Sequence, residues 1–233
     1  MADDIRIGVL MLETRFPRIR GDIGNPDSLP FPLLYRTVPA ASPDRVVRQE
    51  ATGLLPAFLD TARGLVADGV AGITTSCGFM ALYQREMAAA LPVPVLTSAL
   101  LQVVPVNAML PEGRRAGVLT VSEEALSARH LAAVGVPQGT PVQGLALDSH
   151  FRRVFLGDNA DLDVARARGD VVQAALALQA RADRLGGIVL ECTNMAPYAG
   201  DVARATGLPV FSILTLINWF RAGLVPQVFA AAD

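Results

Sequence analysis

The chain has 233 residues, of which 52% are hydrophobic and 18% charged, and its formal net charge is −2. With no Lys/Arg block and 6% aromatics, it lacks the electrostatic stripe and stacking platform of a nucleic-acid binder, and no stretch approaches the ~18 uninterrupted apolar residues of a membrane helix. Two histidines without a Cys/His cluster argue against a zinc site. The acidic start MADD argues against a signal peptide, so the reading is cytoplasmic, where two cysteines are expected to be free thiols.

Residues 5–12 (IRIGVLML) form the first expected strand and 33–39 a weaker one. Between them, 14–31 is rich in Arg, Pro and Gly and reads as a long loop of the kind that binds or covers a site. Ser42-Pro43-Asp44 is a helix-start signature, for a helix reaching about residue 68 that Pro56 kinks or divides. A strand at 69–75, a helix at 78–91, a strand at 93–98 and a Pro105-interrupted helix at 100–109 follow. A strand at 114–122 comes next, with Ser122 as cap of a helix over 123–134, then a strand at 140–147. The stretch 150–163 reads as a second long loop. A helix at 170–185, strand at 186–191, helix at 196–206, strand at 208–214 and a last helix from about 215 complete the chain. Strands separated by helical patterns imply right-handed βαβ units and a mainly parallel sheet.

The chain also repeats itself. At an offset of 115 residues, ADGVAGITTSCGFMALY (67–83) lies over ADRLGGIVLECTNMAPY (182–198), identical at eight of seventeen positions, and Cys77 falls on Cys192. RIGVL (6–10) resembles RAGVL (115–119) at an offset of 109. The expected fold is α/β: two similar Rossmann-like halves, 1–105 and 106–214, related by a pseudo-twofold axis with a cleft between them. The helix over 215–233 packs back on the first half. Each cysteine ends a parallel strand just before a helix, where α/β sheets bind ligands and helix-start N–H groups favour a thiolate. One cysteine at a strand end reads as packing. Two at equivalent positions, flanked by Thr, Ser, Gly and Asn, read as chemistry.

The paired half-repeats with TTSCGF and ECTNM resemble the aspartate/glutamate/hydantoin racemase superfamily, which also includes maleate cis–trans isomerase and arylmalonate decarboxylase. Cys192-Thr193-Asn194 is similar to the family's Cys-Thr-polar turn. Gly78-Phe79 after Cys77 departs from the Cys-Asn-Thr of aspartate and glutamate racemases, and Glu13-Thr14-Arg15 after the first strand departs from the glycine-rich loop of aspartate racemases and the Ser-Asn-Thr of maleate isomerases. The resemblance implies a cofactor-independent, metal-free racemase or epimerase of a small amino acid or derivative, and a homodimer or larger homo-oligomer. One thiolate takes the proton α to a carboxyl or carbonyl of a carboxylate or hydantoin-like substrate, and the other thiol delivers a proton to the opposite face. An unperturbed thiol titrates near ~8.5, so a modest downward shift makes a base at neutral pH.

The developing enolate needs donors, and the candidates are Thr75, Ser76, Gly78, Thr193 and Asn194, with Thr120 and Ser122 from the second half. Each serves equally well as a local helix cap. Of Arg15, Arg18 and Arg20 in the first loop, Arg15 is the candidate carboxylate clamp. Glu191 is placed to raise the pKa of Cys192 by like-charge repulsion. His130 and His150 read as surface or capping residues. The alternatives are cis–trans isomerisation by thiolate addition, decarboxylation with a thiol as proton donor and, in another class, a non-catalytic ligand-binding protein. Neither strand-opening turn carries the G-x-G-x-x-G of a Rossmann oxidoreductase.

Overall fold

The computed structural model describes residues 5–227, so the acidic start and the last residues of the expected C-terminal helix lie outside the described part. Two four-stranded sheets, each wholly parallel, carry the fold. The first has β1 (Ile7–Met11), β2 (Leu33–Thr37), β3 (Gly72–Thr75) and β4 (Val95–Leu96) in the order β2-β1-β3-β4. The second repeats that order, β6-β5-β7-β8, with β5 (Arg115–Thr120), β6 (Val142–Gly144), β7 (Leu185–Leu190) and β8 (Val210–Phe211). β3 is buried at every position and β7 at all but one, as expected of parallel strands covered on both faces.

The sequence repeat is structural. β4 and β8 share the 115-residue offset, and the first residues of β2 and β6 share the offset of 109. The difference is absorbed between the second and third strands of each half.

Several helices differ from expectation at their ends. Glu50 and Ala51 adopt positive φ, which ends the turn of Asp44–Arg48, and α1 starts only at Leu55, with Pro56 in its first turn. A proline lacks the N–H that a first turn leaves unpaired, so Pro56 opens the helix rather than bending it. The helices after the cysteines begin as 3-10 turns, Gly78–Tyr83 ahead of α2 (Gln84–Ala90) and Thr193–Tyr198 ahead of α7 (Ala199–Thr206). Ser122 does not cap a helix: α4 spans Ala128–Ala133 and Ser127 precedes it. The second expected loop contains α5 (His150–Phe155), capped by the Ser149 side chain, and α6 (Val164–Arg181) starts six residues early because Asp163 caps it.

Two helices cross between the halves. α3 (Val103–Met109) straddles the expected boundary at 105 and packs on the second sheet, where Asn107 Oδ1 accepts from Ala116 N–H at 2.7 Å and Val106 lies against Gly187. In return α8 (Ile213–Leu224), closed by a Ser212–Thr215 capping box, packs on the first sheet. Its Ile213, Leu216, Ile217 and Phe220 share a core with Ile7, Val9, Ile23 and Leu96. Phe220 rests against Gly72, at 2.6 Å from where a Cβ would stand. Among the described residues no helix is long and apolar enough to cross a membrane.

Candidate active site

Both cysteines line one cavity at the carboxyl ends of the central strands, between the halves. Cys77 follows β3 in extended conformation, and its carbonyl accepts from Met80 N–H at 3.1 Å. Cys192 follows β7, and its carbonyl accepts from Met195 N–H at 3.0 Å. Neither forms a disulfide; Cys77 is partly buried and Cys192 buried. The two turns are joined directly, because Thr193 Oγ1 donates to the Ser76 carbonyl at 2.6 Å.

Of the expected donors, Ser76, Gly78, Thr193 and Asn194 border the cavity, whereas Thr75, Thr120 and Ser122 do not. Thr75 Oγ1 accepts from Cys77 N–H and donates to the Thr97 carbonyl at 2.8 Å, which fixes the first turn. Thr120 donates to Glu191 Oε2 at 2.7 Å. Cys192 Sγ donates to Asn194 Oδ1 at 3.7 Å, and Asn194 Nδ2 donates to Asp22 Oδ2 at 2.6 Å.

The first long loop covers the cavity with Phe16 and Arg18. Arg15 does not reach it: the Arg15 side chain is 78% exposed and pairs with Asp158 on the outer face. Arg18 is the cation at the cavity. Its side chain is 11% exposed, donates to Asp22 at 2.9 Å and Thr14 at 3.2 Å, and lies over the Phe16 ring. Patterning gave no signal for this choice among three arginines, since a loop has no periodicity to aim its side chains. Phe155 and Leu156, at the end of α5, form another wall, with Phe155 edge-on to Phe16 at 4.9 Å.

Burial reverses the expected acidity of the thiols. Cys77 is pushed up to about 12, first by burial and then by the Glu191 charge, against the Phe79 N–H and Arg18. Cys192 is raised by burial, then by Glu191 and Cys77, against the Asn194 N–H. Short 3-10 turns offer little dipole to oppose that desolvation. Glu191 itself is raised by burial to about 8, with the Thr120 hydroxyl pulling the other way. His130, buried against Phe79, is lowered by burial and bonded to Ser127; it is a core residue, not a surface one. Among the described residues no three His, Cys, Asp or Glu side chains are grouped to hold a metal ion.

The cavity holds about 30 Å³, room for a water or two and about a tenth of a small-molecule site.

No family model matches the chain. Its curated relatives include a dimethylsulfoniopropionate lyase of Durusdinium sp. clade D, 28% identical over 94% of this chain and 75% of that one. Dimethylsulfoniopropionate lyase 7 of Emiliania huxleyi is 31% identical over 94% of this chain and 67% of that one. The chain spans between 45% and 75% of the length of such lyases. Among solved structures, the allantoin racemase of Klebsiella pneumoniae superposes with a TM-score of 0.66 at 18% identity, over 99% of this chain and 97% of that one. Arylmalonate decarboxylase and aspartate and glutamate racemases share the same fold.

Proposed function

Because the chain belongs to the family of the dimethylsulfoniopropionate lyases and has the fold of the aspartate/glutamate/hydantoin racemase superfamily, we propose that it is a cofactor-independent lyase of a small carboxylate. A cysteine thiolate removes the proton on the carbon α to the carboxylate. The electron pair left behind forms a double bond to the β carbon, and the leaving group departs with the β bond's electrons. For dimethylsulfoniopropionate the products are acrylate, dimethyl sulfide and the proton held by the thiol.

The observation that carries this reading is that two thiols 115 residues apart border one cavity together with the buried Arg18 cation. A guanidinium suits a carboxylate, and the aromatic residues Phe79 and Phe155 on the cavity wall suit a sulfonium cation by the same attraction that holds ammonium ions. N–H groups of Phe79 and Asn194 at the sulfurs supply donors near the developing charge. The second reading is two-thiol racemisation of an amino acid or hydantoin. The equivalence of the two cysteine turns favours it, since inversion needs an acid and a base on opposite faces.

The experiment is incubation in heavy water with dimethylsulfoniopropionate and a panel of enantiopure amino acids and hydantoins, followed by NMR and headspace analysis. Acrylate and dimethyl sulfide formed by the wild type and lost in Cys77→Ser or Cys192→Ser support the lyase. Deuterium at the α carbon with loss of optical purity assigns racemisation. Elimination that survives both substitutions refutes thiol chemistry.

A further inference from the structure

The two cysteine turns differ at one position that matters chemically. Ser76 precedes Cys77, and Glu191, its counterpart at the 115-residue offset, precedes Cys192. Both backbones are pinned alike, Ser76 N–H to the Leu10 carbonyl and Glu191 N–H to the Leu119 carbonyl, each at 2.9 Å. The Ser76 hydroxyl is used structurally, accepting from Leu12 N–H at 3.0 Å. Glu191 instead places a carboxyl, wholly inaccessible to solvent, on the cavity wall. Its Oε2 holds the Thr120 hydroxyl, but its Oε1 is buried with no partner. That Oε1 lies 2.3 Å from where a Cβ on Gly78 would stand, so glycine after Cys77 is what admits it. The carboxyl is thus bonded along the chain to one cysteine and pressed against the residue following the other. Buried carboxyl oxygens ordinarily find partners; an orphaned one on the wall of the cavity that both thiols line is free to take a proton from a thiol that turns toward it.

We propose that Glu191 is the proton acceptor of the cysteine pair: its Oε1 takes the proton of the thiol that becomes the base. The S–H bond breaks as the O–H bond forms, giving thiolate and carboxylic acid. The thiolate then takes the substrate's α-proton and is a thiol again, and Glu191 releases its proton to solvent, so one proton leaves per elimination. Glu191 acts through the thiols and is a positioning residue in this sense; the role rests on the thiol-base reading above. Of the three groups, burial leaves Glu191 the first to ionise. The charged and titratable neighbours are Arg18 on the cavity wall, Asp22 behind Asn194 and His130 behind Phe79.

Alkylation by iodoacetamide from pH 6 to 10, resolved by mass spectrometry of the Cys77 and Cys192 peptides, tests this without any substrate. In the wild type the rate should step upward near pH 8 as the carboxylate appears. Glu191→Gln should lose that step and react about tenfold more slowly between pH 8 and 9. Faster alkylation in Glu191→Gln would mean that Glu191 only repels the thiolate, and would overturn the proposal, as would superimposable profiles. Should Glu191→Gln fail to fold, Thr120→Val decides. Losing the hydroxyl donor should move the step to higher pH, and an unmoved profile overturns the proposal. An altered thiol profile in a protein that turns over no substrate of the panel would sink the lyase reading and sustain this one.

Discussion

Gly78→Ala is the sharpest steric test of the site. The new methyl would stand 2.2 Å from the Glu191 carbonyl oxygen and 2.3 Å from Oε1, where ordinary contact begins at 3.4 Å. The turns must therefore separate by about 1.2 Å, which is 3.4 less 2.2. They resist, because Glu191 N–H is held by Leu119 in β5 and Thr193 Oγ1 by the Ser76 carbonyl at 2.6 Å. Overpacking of this kind costs about 1–3 kcal/mol. At roughly 2–4 °C per kcal/mol for a chain of this size, the melting temperature should fall by about 2–12 °C. Glu191→Ala removes Oε1 but not the backbone oxygen, so Gly78→Ala on that background should be only partly relieved. Differential scanning calorimetry of the four proteins closes the cycle. A melting temperature for Gly78→Ala indistinguishable from wild type would refute the close approach of the turns.

Four further outcomes follow from the structure. Arg18→Met strips the cation from Asp22, whose side chain is 2% exposed; breaking a buried pair costs about 3–5 kcal/mol, and Asp22→Asn in the same chain should recover part of it in urea unfolding. Arg15→Ala breaks an ion pair whose arginine is 78% exposed, so the unfolding free energy from urea titration should fall by no more than about 1 kcal/mol, and a larger loss would mean that the Arg15–Asp158 pair anchors the first loop. The carboxyl of Glu191 is raised from 4.5 to about 8, so the folded state binds the extra proton and stability declines as pH rises from about 4.5 through 8. Urea midpoints at several pH values should show this slope, and Glu191→Gln should flatten it. Glu124 goes the other way: Arg152 holds it down at about 2, so its contribution is present above pH 4.5 and disappears as pH falls toward 2.

The halves and the cysteine turns were legible because they are local signals repeated at a fixed offset. Ile73, Cys77 and Tyr83 recur as Ile188, Cys192 and Tyr198 in the same elements. The packing of the last helix on the first sheet was expected and is found; what the repeat did not show was the reciprocal crossing of α3 to the second sheet, since its apolar face suits either sheet. Ser149 and Asp163 are ordinary cap residues, yet α5 went unseen because six residues are too few to display a period. The cover was legible as a loop but not in its contacts: Arg18 rather than Arg15 faces the thiols, through Asp22 and Thr14, which only tertiary structure brings together. That Glu191 raises Cys192 was legible from their adjacency, but the expected net downward shift of the thiols was misjudged, because polar neighbours are visible in a sequence whereas the depth of burial is not.

The exchange of α3 and α8 bears on how the chain is made. Ile7 and Val9 share their core with Ile213, Ile217 and Phe220 as well as with Ile23 and Leu29 of the first loop, so one face of the first sheet stays only partly covered until α8 leaves the ribosome. From Leu96, which completes the first sheet, to Leu224 is 128 residues, and at roughly 5–20 residues per second that interval is about 6–26 s. During it the nascent first half exposes an apolar surface that only its own distant helix, or a chaperone, can cover. Splitting the gene at the midpoint would yield two fragments that each lack a wall and hold the other's.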